Sequence, residues 1–139
     1  MQPTLRACND VRMIALAGIV PDPGTLPHFF APLARARKEL AVFAYRNRRG
    51  MLIGLRHCHG GLDETILPLR SVVRDALALN AASIMIAHNH PSGMSQPSKA
   101  DCETTRLIAR TLRPIGLWLA DHWVVGREDS SSFLALGLL

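Results

Sequence analysis

The chain has 139 residues, 48% of them hydrophobic, and carries a formal net charge of +5 with an isoelectric point near 9.9. That length suits one domain with a real core, and no period or low-complexity tract points to a repeat protein. The three cysteines, Cys8, Cys58 and Cys102, are scattered and odd in number, which argues against a disulfide framework and for a reducing compartment.

The first apolar stretch, residues 11–20, includes Arg12 and is too short to span a bilayer or to be read as a signal core. It reads instead as a short helix, capped by Asn9 or Asp10 and ended by Pro21-Asp22-Pro23-Gly24. A cytoplasmic protein without a membrane segment is therefore expected. A second helical segment covers residues 26–37. Apolar runs at 39–46 and 51–57 then predict a hairpin whose tip is Asn47 to Gly50.

Basic residues gather at Arg35-Ala36-Arg37-Lys38 and Arg46-Asn47-Arg48-Arg49. They can neutralise phosphates, but a hairpin tip is also where solvated charge belongs, and few aromatic residues are present to stack on bases. Nucleic acid is thus a weakly supported partner, and an acidic protein surface is an equal one. In His57-Cys58-His59 strand alternation separates the cysteine from the two histidines, and no further ligand follows at suitable spacing. Surface histidines are expected there, not a second metal cluster.

A helix at 69–79 leads to the most informative stretch, Ser83 to Asp101, which reads SIMIAHNHPSGMSQPSKAD. The apolar run at 82–90 predicts a strand, and alternation then sends His88 and His90 to the same face. Pro91-Ser92-Gly93 ends that strand with strong turn chemistry and leaves both rings at its open end. Pro97-Ser98 opens an amphipathic helix over 98–113, with Leu107, Ala109, Leu112 and Ile115 as expected core positions. Asp101 falls on its first turn, facing back toward the histidines. Two imidazoles and one carboxylate make three protein ligands, and a fourth position left open for water is the pattern of a catalytic zinc site. A last strand covers 117–125.

Each part has a plainer reading. Ser98 and Asp101 fit a capping box, and a lone histidine at a strand end is commonly a hydrogen-bonded structural residue. Two histidines at strand spacing, followed by a Pro-Gly turn and a Ser-x-x-Asp helix start, combine into a metal site more naturally than into coincidence. The H-E-x-x-H helix of metalloproteases and the H-x-E with P-C-x-x-C of zinc deaminases are both missing.

His88-Asn89-His90-Pro91 followed by Ser98-Lys99-Ala100-Asp101 resembles the JAMM metallohydrolases, and His88 to Gly93 resembles their bacterial RadC-type JAB branch. Asp121-His122 with Gly126, and the ending Ser132-Phe133 with Gly137-Leu138-Leu139, are similar to that branch as well. The resemblance covers roughly residues 38–139, as one domain preceded by an N-terminal helical segment, 1–37. It implies an α/β fold, a mixed central sheet flanked by helices and related to cytidine deaminases.

The same resemblance implies Zn²⁺ held by His88, His90 and Asp101, with Glu39 as the general base and Ser98 stabilising the oxyanion. Glu64, in a polar loop, and Glu103, on the helix beside Asp101, are the competitors for Glu39. The implied reaction is cleavage of a peptide or isopeptide bond, with a peptide or a ubiquitin-like protein as substrate and a homodimer conceivable. A different class of function keeps the fold and the metal but not the catalysis, in a module recruiting DNA or a protein partner. RadC-type chains usually carry a helix-hairpin-helix region ahead of this domain, and only about 37 residues precede it in this sequence, which weakens the expectation of a DNA-repair role. Met94-Ser95-Gln96 departs from the acidic, proline-rich loop usual there, which bears on the substrate groove. For Asp121 and His122, alternation allows only one side chain to approach the metal ligands, in a supporting role.

Overall fold

The computed structural model describes residues 11–13, 26–60 and 68–139. Six strands, β1 (Val11–Met13), β2 (Leu40–Arg46), β3 (Leu52–His59), β4 (Ser83–Asn89), β5 (Trp118–Val125) and β6 (Ser130–Ser132), form one sheet in the order β1-β3-β2-β4-β5-β6. Only β4 and β5 run parallel among its pairs, so the sheet is mixed. Two helices, α1 (Leu69–Ala78) and α2 (Lys99–Leu112), connect strands, and α2 provides the long crossover that a parallel pair requires.

Alternation along the strands divides the core into two layers. Ala41, Phe43 and Tyr45 of β2 join Ile84 and Ile86 of β4 beneath Val72 and Ala76 of α1 and Ile108 and Leu112 of α2. Val42, Ala44, Met85, Ala87, Trp123 and Val125 face the other way, onto Phe30 and Leu33. Because β2 and β4 lie in the middle of the sheet and are covered on both faces, they are apolar almost throughout.

The segment that carries Phe30 and Leu33 is helical over His28–Arg35, within the expected span, and takes the 3-10 form. Pro32 inside it offers no backbone N–H, and its buried residues stand three apart, which suits a threefold turn. The expected helix over 9–20 is corrected where it is described. Val11–Met13 is a strand that pairs with Arg56, Leu55 and Gly54 and so covers the outer hydrogen-bonding edge of β3. The rest of that expectation lies outside the described residues. The expected core positions Leu107, on α2, and Ile115, in the 3-10 turn after it, are each 44% exposed, and the buried stripe of α2 is Asp101, Thr104, Thr105, Ile108 and Leu112.

His57 and His59 are exposed and Cys58 is buried, as alternation required. Cys58 is held in a disulfide, against the expectation of unpaired thiols, whereas Cys102 is free. No helix among the described residues is long and apolar enough to cross a membrane.

A buried polar cluster fastens α1 to the sheet. Asp75 receives hydrogen bonds from Tyr45 Oη at 2.8 Å, from Arg56 Nη2 at 3.0 Å and from Arg56 Nε. Burial, with the hydrogen bond to Asp75 next, pushes the Tyr45 phenol well above its ordinary pKa, so it stays a donor. Replacing Asp75 with alanine takes the carboxylate from both partners and should destabilise the fold by about 3 kcal/mol, read as a lower urea midpoint at unchanged slope.

Candidate metal centre

The strand that bears the histidines ends in the interior of the sheet, between β2 and β5, so its last residues open onto a site walled on both sides. His88 is fully buried and His90, just past the strand, is half-buried. The chain then turns through Gly93, whose amide donates to the His90 carbonyl at 2.9 Å and whose φ is +78°. A side chain there would be strained and would push against the Arg127 side chain at 2.8 Å, so this turn favours glycine.

His88, His90 and Asp101 converge. The two Nε2 atoms are 3.1 Å apart, Asp101 Oδ1 lies 3.2 Å from His88 Nε2, and Oδ2 lies 2.9 Å from His90 Nε2. Ligands about 2.0–2.1 Å from a tetrahedral zinc ion stand about 3.3–3.4 Å from one another. The donor types and spacings therefore fit a divalent cation, and among the described residues this is the one group of His, Cys, Asp and Glu that does. Burial acts to raise the Asp101 pKa, but His88 and the hydrogen bonds of Ser98 outweigh it and hold the carboxyl below its usual range.

Asp101 is aimed by the helix that carries it. Ser98 caps α2: its Oγ accepts from the Asp101 amide at 3.0 Å, while its own amide donates to Asp101 Oδ2 at 2.8 Å. The capping box and the ligand geometry thus coexist in the same atoms. Ser98 is exposed, and its hydroxyl still has a proton to donate. Beside it lies a groove of about 400 Å³ lined by Ser95, Gln96, Pro97, Cys102, Ser131 and Leu136.

Glu39 is half-buried and stands directly before β2. Ala41 pairs with His88, so by alternation Glu39 is on the same side of the sheet as the two histidines. It is not among the donors that converge within 4.8 Å of one another. Its backbone is fixed by Asn89, which points to the opposite face: Oδ1 accepts from the Leu40 amide at 2.7 Å, and Nδ2 donates to the carbonyls of Lys38 at 3.0 Å and Ala36 at 3.2 Å. Of the competitors, Glu103 is exposed and reaches Lys99 at 4.0 Å. Glu64 lies outside the described residues.

Of the pair Asp121-His122, the histidine approaches the site. His122 Nε2 is 2.8 Å from His88 Nδ1, and Nδ1 is 2.6 Å from Thr105 Oγ1. Burial, reinforced by His88, holds the His122 imidazole well below its ordinary pKa. A break in the β4–β5 register makes this possible. Leu117 and Leu119 belong to the α-helical face, and regular alternation would put Asp121 there next. Between the pairs Ile84–Leu119 and Met85–Asp121 one residue is skipped, and His122 comes opposite Ile86 instead. Thr105 and Phe133 were not foreseen as parts of the surroundings. Thr105 had a readable signal, since it follows Asp101 by one helical turn.

The chain matches the RadC-like JAB domain family over residues 23–138. It belongs to that family, and its mixed sheet with packed helices is the fold expected from the resemblance. A UPF0758 protein of Burkholderia thailandensis is 38% identical over 121 residues, covering 86% of this chain and 46% of that protein. Another UPF0758 protein, of Cupriavidus pinatubonensis, is 42% identical over 110 residues, covering 78% and 47%. A third, of Leptothrix cholodnii, is 48% identical over 80 residues, covering 58% and 36%. This chain therefore spans less than half the length of these relatives.

Replacing Asn89 with alanine deprives the Leu40 amide and two carbonyls of their partner. The expected cost is about 1–3 kcal/mol, accompanied by faster amide hydrogen exchange at Leu40 on the strand that follows Glu39.

Proposed function

We propose that this chain is a zinc-dependent hydrolase of the RadC/JAMM type that cleaves a peptide or isopeptide bond, with His88, His90 and Asp101 as metal ligands. The single observation behind the reading is the convergence of those three side chains at the end of β4. A bound zinc ion would supply Lewis acidity and lower the pKa of water from 15.7 to about 7.

The remaining steps fall to the chain's own side chains. Glu39 takes a proton from the nucleophile and returns it to the leaving amine, the work of a carboxylate near the ligands that does not itself coordinate. The clasp of Asn89 on the residues either side of Glu39 supports that assignment. Ser98 donates its free hydroxyl proton to the oxyanion that develops at the carbonyl. The groove past Ser95 and Gln96 would take the substrate, a peptide or the tail of a ubiquitin-like protein. This reading includes a cytoplasmic location, which the free thiol of Cys102 favours and the disulfide at Cys58 does not.

The second reading, a non-catalytic metal module that recruits DNA or a protein partner, draws on the exposed Arg48 and Arg49 at the β2–β3 turn. Glu39→Gln separates the two. The purified wild type is expected to contain roughly one zinc ion per chain, and the variant should retain it. Hydrolysis of peptide and isopeptide-linked test substrates by the variant should fall by about 10²–10⁴-fold. Cleavage equal to wild type would remove Glu39 as the base, and cleavage by neither protein would favour the recruiting module.

Ligation is tested separately. Replacing His90 with alanine should abolish stoichiometric zinc by elemental analysis while β4, anchored by its apolar neighbours, stays folded by circular dichroism. Full zinc content in that variant would exclude His90 as a ligand.

A further inference from the structure

Behind the three converging donors lies a continuous chain of hydrogen bonds that returns to its starting residue. The Thr105 hydroxyl is 2.6 Å from the main-chain carbonyl of Asp101 and 2.6 Å from His122 Nδ1. A carbonyl can only accept, so the single hydroxyl proton of Thr105 goes to Asp101. The Thr105 oxygen must then accept from His122, which places a proton on His122 Nδ1. His122 Nε2 is left facing His88 Nδ1 at 2.8 Å, with one proton to be shared between them. If that proton is on His88 Nδ1, the lone pair of His88 lies on Nε2, the atom directed at His90 and Asp101.

We propose that His122 is a positioning residue that fixes the tautomer and ring orientation of His88 and thereby sets how tightly the site holds its cation. The inference rests on the metal reading above. It concerns a different residue and a different quantity, affinity in place of hydrolysis.

The surroundings of His122 are built for a ring that must not turn. Phe133 stacks on it with centroids 4.5 Å apart and planes 10° from parallel, and the Phe133 amide donates to the His122 carbonyl at 2.8 Å. Asp121 Oδ1 accepts from the His122 amide at 2.7 Å and from the Leu134 amide at 3.0 Å, while Oδ2 accepts from Ser132 Oγ at 2.6 Å. The turn after β6 is thus pinned to β5 on both sides of the stacked pair. Aspartate and histidine, adjacent in sequence and opposed across the strand, divide the work: one holds the turn, the other the ligand. A histidine that donates its other ring N–H to a fixed acceptor is a stronger and better oriented ligand, and loss of such a partner costs 10–100-fold in metal affinity in other sites.

The test measures zinc affinity by competition with a chromogenic chelator, for wild type and for His122→Phe, His122→Asn and His122→Gln. Phenylalanine keeps the stack and removes the acceptor, and is expected to weaken zinc binding by about 10–100-fold. A glutamine carbonyl reaches as far as the imidazole Nε2 and can accept from His88, whereas the shorter asparagine reaches only the Nδ1 position. Glutamine should therefore restore most of the affinity that asparagine loses, although both lack the stacked ring. Equal losses in these two variants, or wild-type affinity in His122→Phe, would overturn the proposal.

Should the His122 variants fail to fold, Thr105→Val keeps both rings and the side-chain shape while removing the acceptor for His122 Nδ1–H. A folded Thr105→Val protein should bind zinc more weakly than wild type, and unchanged affinity would overturn the proposal. A wild type that takes up no zinc sinks the metal reading itself, and with it this inference. A wild type that binds zinc while its variants bind equally well sinks the inference alone.

Discussion

The carboxylate of Asp101 is the point on which the geometry of this molecule turns. Its two oxygens reach different histidines, and one of them also receives the Ser98 amide, so the first turn of α2 has a single admissible rotation about its axis. That rotation dictates which residues further along face the sheet: Thr104, Thr105, Ile108 and Leu112 follow Asp101 at helical spacing and are all buried. The hydrophobic core beneath α2 and the polar site at its start are therefore one packing solution. A helix turned to bury Leu107 would withdraw Asp101 from the histidines.

A second constraint comes from the alternation of β4. His88 and His90 occupy one face, and Asn89 between them occupies the other, where it binds Leu40, Lys38 and Ala36. Three consecutive residues thus act on opposite sides of one strand end: two supply donors of a cluster that could hold a cation, and the third sets the backbone around Glu39. The strand continues into a turn whose φ of +78° at position 93 favours glycine, and the Gly93 carbonyl accepts from the Arg127 amide at 3.0 Å. Loop, β5 and the C-terminal turn are joined through that contact and through Asp121.

Much of this was legible in the amino-acid order because the signals are local. Period-two alternation gives the face of His88 and His90, Ser-x-x-Asp gives the helix start, and Pro91 to Gly93 gives the turn between them. The features that escaped are properties of pairing. Ser130–Ser132 has no apolar alternation and is a strand only because β5 offers it an edge. Val11–Met13 resembles the start of an apolar helix until the free edge of β3 is known. The skipped residue opposite β4, which brings His122 and not Asp121 to the face of His88, leaves no mark in β5 itself. For α2, counting apolar residues favoured Leu107 and Ile115, because buried Thr104 and Thr105 disguise the inward stripe. Thr105 is satisfied there, with its hydroxyl within 2.6 Å of the Asp101 carbonyl and of His122 Nδ1.

Stability and chemistry pull in opposite directions at such a place. Two imidazole nitrogens and a carboxylate brought within 3.2 Å of one another, with a third imidazole behind them, form a costly arrangement in a poorly solvated pocket unless protons or a cation lie among them. A chain selected only for folding would fill the end of β4 with apolar side chains, as it does along the rest of that strand from Ile84 to Ala87. Here the polarity changes abruptly at His88, and the neighbouring elements compensate: a capping box on one side, the Asn89 clasp on another, and the His122–Phe133 stack behind. Each of these holds a side chain in an orientation that packing alone would not select. Local rules broken in one place and supported from three directions are what a site prepared for a ligand looks like in physical terms.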